Sequence, residues 1–396
     1  MREYVTAASP DYRKTGMTAV YLAGCALNDC CPELDASVNL DELFAFCKFH
    51  SITSMVAMAL ERYWKEVSPG EPEQMKQWKQ AKDMAIRKNI LLNAERDRIL
   101  KHLESIGCWY LPLKGSLLQF DYPKFGMRQM SDNDILVDPS KQEQIHEFMC
   151  GSGYTDAFYK KANHDEYMKK PVYYFEMHMS LFEKATDPVL AGYYSDMSRL
   201  LRKDTGNEFG YHLNDNDFYI YLIAHAYKHV SVSGIGLRHL LDVYVYLNKH
   251  GGGLDRAYLR RELEQFGAYE FTCQCEALAE LLLREPVNNV LLDEGDQELL
   301  DAFIQSGTYG TKKQLVEKSL AHLGGGTSGG IWLKLRYLFR RIFPPVELLA
   351  VMNPEIREKK WKIPLVYAAR LWKAAFKKPM SVIRELKALD GRNTDR

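Results

Sequence analysis

Asp132 and Asp134 lie two residues apart at the head of the apolar run Ile135-Leu136-Val137. On a strand, residues two apart project from one face, so the two carboxylates would converge on one point. Adjacent anions repel, and hard carboxylate oxygens suit Mg²⁺ or Mn²⁺. A third acid, Glu176, sits between Phe175 and Met177 in a run, 172–181, rich in aromatic residues and therefore strand-like. A buried carboxylate without a partner is costly, so Glu176 needs a counter-charge or a cation. His178 would share its face and could orient a ligand or simply be a satisfied structural histidine. Upstream, Gly115-Ser116 follows the apolar run 109–113. Glycine lets the backbone come close, N–H groups at a helix start attract phosphate, and the Ser116 hydroxyl can add a hydrogen bond. Lys114 and Arg128 can neutralise phosphate, Arg128 through a bidentate contact, although either can equally pair with a structural acid.

A Gly-Ser turn, then Asp-x-Asp, then an apolar–acid–apolar strand resembles the nucleotidyltransferase superfamily typified by DNA polymerase β. The pattern is most similar to a bacterial branch described as uncharacterised nucleotidyltransferases. Its Leu-Lys-Gly, Arg, Asp-x-Asp and Glu-x-His positions are met here by Lys114-Gly115, Arg128, Asp132/Asp134 and Glu176/His178. The likeness continues through the His-rich helix at 217–249 and Phe-Pro-Pro at 343–345. Asn133 departs from it, standing where an aliphatic residue is expected, which suggests that the far face of the sheet is less buried. The resemblance implies an α/β (α+β) fold: a minimal polymerase-β-like core with a small mixed sheet, embedded in a largely helical scaffold. It implies transfer of a nucleoside monophosphate from an NTP, ATP by expectation, to a hydroxyl or similar group of an unknown acceptor, a small molecule or a protein. It also implies a Mg²⁺ (or Mn²⁺) cofactor. Two ions about 3.5 to 4 Å apart would be bridged by Asp132 and Asp134, with Glu176 completing the site that faces the acceptor.

The elements that must position these groups follow from periodicity. Residues 1–35 read as irregular, 39–63 as a helix, and 73–106 as a long amphipathic helix ended by Gly107. Residues 109–113, 134–137, 154–159 and 172–181 read as strands, with the polar stretch 160–170 as a connection. From 187 onward the pattern is almost only helical, with N-cap candidates at 214–217. His225 and His229 share a helix face at i, i+4, with His239 and Asp242 on the next helix. Such histidines can share a metal, but no adjacent glutamate supports this, and packing near the cleft is the simpler reading. The expected division is a helical region at 1–107, the α/β core at 108–186, a helical domain at 187–323, a Gly-rich joint at 324–330 and a basic helical region at 331–396.

The 396 residues carry no net formal charge, with 46% hydrophobic and 26% charged residues, so global charge selects no partner. Residues 331–387 are basic, with 14 Lys or Arg against 4 acids. Their interleaved aromatics fit either a surface for nucleic acid or an anionic membrane or, more simply, amphipathic helices with a solvated basic face. None of the eight cysteines has C-x-x-C spacing, and no signal peptide but free thiols in a cytoplasmic setting are expected. No apolar run is long enough to span a membrane. The alternatives are an inactive nucleotide-binding or interaction module of the same fold, or a transferase acting on nucleic acid.

Overall fold

The structure, a computed structural model, describes residues 10–67, 70, 72–288, 290–308, 310, 314–316, 339–353, 356 and 359–372. The expected joint at 324–330 and most of the basic block, including Trp332, Leu333, Tyr337 and Leu338, lie outside them.

The chain begins as helix, not as the irregular segment expected. Helix α1 (Pro10–Leu27) buries Ala19 to Ala23 and Cys25 to Leu27. Because this half is buried on nearly every side, against α-helical neighbours, it shows no amphipathic stripe to read. The single helix expected at 39–63 is two, α2 (Leu40–His50) and α3 (Thr53–Glu66). The Asn39 side chain caps α2 by accepting from the N–H groups of Asp41 and Glu42, and Ser51, at φ 56°, ends it in the left-handed region. Helix α4 (Met75–Ser105) is the long helix expected, and Gly107 follows it at φ 65°.

The central sheet is built from β1 (Tyr110–Pro112), β2 (Asn133–Val137), β3 (Thr155–Asp156), β4 (His164–Lys169) and β5 (Tyr173–His178). The short helix α5 (Gly115–Leu118) follows β1, and α6 (Gln142–Gly151) follows β2. The spatial order is β1-β2-β5-β4-β3, with β2 and β5 parallel and every other pair antiparallel. The mixed sheet makes this an α+β protein.

Strand β4 corrects the expected connection at 160–170. The stretch is polar on both faces, so it carries no hydrophobic alternation, yet its polar groups are satisfied. Asp165 is fully buried and accepts from Gln142 Nε2 and the Lys160 N–H. The strand expected at 154–159 shrinks to two residues. A two-stranded sheet, β6 (Leu201–Lys203) with β7 (Tyr211–Leu213), follows α7 (Pro188–Tyr193) in a region expected to be helical. Beyond it stand α8 (Asp215–Val232), α9 (Leu237–His250), α10 (Arg256–Glu264), α11 (Tyr269–Leu283) and α12 (Glu294–Ser306).

The two faces of the sheet have different fates. Ile135, Val137, Phe175 and Met177 pack against Leu92, Ile99 and Leu103 of α4 and Ile145 and Met149 of α6. Asn133 shares the parity of Ile135, and it is fully buried with neither side-chain polar atom hydrogen-bonded. The expectation of a less buried far face is therefore overturned, because α4 and α6 cover it. The near face carries Leu111, Leu113 and Leu136 into a second core with α8, α9 and α11. The acids lie on that near face, between sheet and helices.

Candidate active site

Parallel pairing of β2 and β5 sets Asp134 opposite Glu176 and Leu136 opposite His178. His178 Nε2 lies 3.0 Å from Asp134 Oδ1 and 3.3 Å from Glu176 Oε2. One ligand atom from each of Asp134, Glu176 and His178 falls within 4.8 Å of the other two. Asp132, one residue before the strand, lines the same cavity but stands outside that group. The cavity measures about 310 Å³, at the small end of the roughly 300 to 1,000 Å³ typical of ligand pockets.

Lys114 reaches into this cluster, with Nζ 2.8 Å from Asp134 Oδ1. Its backbone sits at φ 50°, ψ −123°, a region costing about 1 to 3 kcal/mol for a residue with a side chain. The tight turn from β1 into α5 thus holds a lysine where glycine would be unstrained. Burial favours the neutral amine, but Asp134 outweighs it and holds the Lys114 ammonium above its usual range. Burial also raises the Asp134 carboxyl, yet Lys114 and His178 together hold it well below the usual carboxylate range. Asp132 has less compensation, and burial and then repulsion from Asp134 push it up to about 6. His178 loses basicity to burial but regains more from hydrogen bonds to Asp134 and Glu176, ending above its usual value. The cluster is an anionic pocket held by one lysine and one imidazole.

The other expected phosphate-binding residues divide. Gly115 lines the cavity, and a Cβ there would run into the Arg128 guanidinium, so glycine is required by close packing. Arg128 lines the cavity as well, but its guanidinium is committed to Asp242 on α9, with Nε donating to Oδ1 at 2.7 Å and Nη2 to Oδ2 at 2.8 Å. Tyr122 Oη donates to the same Oδ1 at 2.7 Å. Arg128 therefore fastens the loop before the aspartates to the helical wall. Ser116 is buried and does not line the cavity, and its hydroxyl donates to the Leu113 carbonyl at 2.7 Å.

The cavity residues His164, Lys228 and Arg238, and Glu166 beside His164, are not legible in the sequence as site residues. On β4, antiparallel to β5, His164 stands opposite His178 and Glu166 opposite Glu176. The clue was a mirrored pattern, His-x-Glu at 164–166 against Glu-x-His at 176–178, hidden because 160–170 was not read as a strand. Across the cavity, α8 supplies Lys228 with His225 and His229, and α9 supplies Arg238 with His239. His225 and His229 meet Nε2 to Nε2 at 3.1 Å, which requires one ring to donate and the other to accept. Burial holds the His225 imidazole well below its usual value and pushes His229 and His239 down to about 4. Neither His225 nor His229 joins a group of potential metal ligands among the described residues. They form a neutral, packed wall facing the acids.

A carboxylate–imidazole cluster on one face of a mixed sheet, open to a cavity, fits a divalent cation by donor chemistry and spacing. Fold and site thus define an α+β protein with an acidic, cation-competent centre. Residues 36–284 match the family described as uncharacterised nucleotidyltransferase, and the chain belongs to that family. No curated protein and no solved structure matches it. Among the described residues, no helix is long and apolar enough to cross a membrane.

Proposed function

We propose that the chain transfers a nucleoside monophosphate from an NTP, with ATP as donor, to a hydroxyl or similar group of a small-molecule or protein acceptor. The observation that carries this reading is the β2–β5 register, which sets Asp134 beside Glu176 with Asp132 and Lys114 on the same cavity. Mg²⁺ or Mn²⁺ would be held by Asp132, Asp134 and Glu176 and would offset charge on the entering and leaving oxygens. The acceptor oxygen forms a bond to the α-phosphorus while the bond from that phosphorus to the bridging oxygen of the β-phosphate breaks, releasing pyrophosphate. Glu176, open to the cavity, takes the acceptor's proton. Lys114, held against Asp134, brings positive charge to the approaching phosphates. Lys228 and Arg238 on the opposite wall offer cationic partners to the leaving pyrophosphate.

Residues 108–186 form the catalytic core in this reading, with the helices after it lining the acceptor side. A cytoplasmic setting accords with eight free cysteines. The test is to titrate ATP, GTP, CTP and UTP with Mg²⁺ or Mn²⁺ into wild type and into the double variant Asp132→Asn/Asp134→Asn. Metal-dependent binding of one nucleotide, lost in the variant, supports the reading. Absence of binding by folded wild-type protein, with every nucleotide and either metal, favours an interaction module.

A further inference from the structure

Strand β4 brings a second set of potential ligands to the sheet face. His164 Nε2 lies 3.5 Å from Glu166 Oε1 and 3.8 Å from Glu176 Oε2. These separations exceed a good N–H···O hydrogen bond. They match the spacing of ligands around a shared cation, since bonds of about 2.1 Å at tetrahedral angles set neighbouring ligand atoms roughly 3.4 Å apart. The three ligand atoms all fall within 4.8 Å of one another.

A separate observation concerns the direction of the imidazole lone pair. Asn163 Nδ2 donates to the Ser180 carbonyl at 2.7 Å. A carbonyl only accepts, so the amide is oriented with its oxygen toward the neighbouring ring. Asn163 Oδ1 lies 3.3 Å from His164 Nδ1, and because that oxygen also only accepts, Nδ1 must carry the hydrogen. In the neutral ring the lone pair is then on Nε2, aimed at two carboxylates. Hydrogen bonding of the far ring nitrogen to a fixed acceptor is the arrangement that orients metal-bound histidines.

We propose that His164, Glu166 and Glu176 form a second divalent-cation site, sharing Glu176 with the Asp134–Glu176–His178 cluster and selecting a transition metal over Mg²⁺. An imidazole nitrogen among the ligands suits Zn²⁺ and the later first-row ions best and is accepted by Mn²⁺, whereas Mg²⁺ prefers oxygen alone. The site adjoins the proposed nucleotidyl-transfer centre, but its existence requires neither nucleotide nor turnover.

The probe is Mn²⁺ in the presence of excess Mg²⁺, with bound ion counted by electron paramagnetic resonance on the full chain. Variants are His164→Gln, Glu166→Gln and Asp134→Asn, with circular dichroism to confirm folding. Wild type should retain a Mn²⁺ that Mg²⁺ does not displace. His164→Gln and Glu166→Gln should each weaken it by about 10- to 100-fold or more, and Asp134→Asn should leave it bound. Wild-type Mn²⁺ binding in both folded β4 variants, or full displacement by Mg²⁺, overturns the proposal. Loss of Mn²⁺ in the β4 variants supports it even if no nucleotide binds, an outcome that would count against nucleotidyl transfer alone.

Discussion

Lys114 Nζ and Asp134 Oδ1 are 2.8 Å apart, joined across the gap between a strained turn and strand β2. Both side chains are mostly buried, so each charge depends on the other. Replacing Lys114 with Met keeps the stem but removes the ammonium, leaving Asp134 beside Asp132 with His178 as its remaining cationic neighbour. Lys114→Met should lower stability by about 3 kcal/mol, read from urea unfolding without metal. Mn²⁺ should recover part of that loss, because a bound cation replaces the missing charge. An equal loss with and without Mn²⁺ would argue that Lys114 does not share its carboxylate with a metal.

Asn133 and its neighbours show how far the sequence could be read. Asp134, Glu176 and His178 were legible because each lies in an apolar strand, where an acid or imidazole stands out and period two assigns it a face. His164 and Glu166 were not legible, because Asp165 on the other face is also polar and its satisfaction by Gln142 and Lys160 is a tertiary fact. Arg128 shows a third case, since its type announced a bidentate contact but not whether the partner would be a phosphate or Asp242. Helix α1 is illegible for the opposite reason, being too evenly buried to show a stripe. At Asn133 the strand is legible but its cover is not, since nothing local indicates that α4 and α6 enclose that face.

That buried amide has its own consequence. Both Asn133 side-chain polar atoms lack a partner, and an unsatisfied buried polar group costs about 1 to 3 kcal/mol. Asn133→Val removes the cost and supplies a β-branched residue suited to a central strand. The variant should be more stable by about 1 kcal/mol or more, measured as a rise in the urea midpoint at unchanged slope. A loss of stability would mean that the amide makes an interaction that packing alone does not explain.

Acid stability should depend on His50. Its ring is fully buried, stacked on Phe46, with Nε2 3.0 Å from the Ile304 carbonyl and Nδ1 unpaired. Burial pushes it down to about 3, outweighing the carbonyl contact. Between pH 6.5 and about 3 the unfolded chain holds a proton that the folded chain refuses, so stability falls as pH drops through that window. This group alone contributes about 1.4 kcal/mol per pH unit there. His50→Gln removes the titrating ring, and the slope of unfolding free energy between pH 5 and pH 6 (about one unit of that window) should be shallower by that amount. An unchanged slope would assign the acid sensitivity elsewhere, with His229 and His239 the next groups to test.

The most direct test of the acid face is the thermodynamic coupling between metal and nucleotide. Mn²⁺ affinity should be measured with and without a non-hydrolysable ATP analogue, in wild type, Asp134→Asn and Glu176→Gln. If Asp134 and Glu176 hold the cation that meets the triphosphate, each ligand will tighten the other by the same factor in wild type, and both variants will lose that coupling while remaining folded. Nucleotide that binds wild type equally well without metal, or coupling that survives in either variant, would contradict the assignment of this site to nucleotidyl transfer.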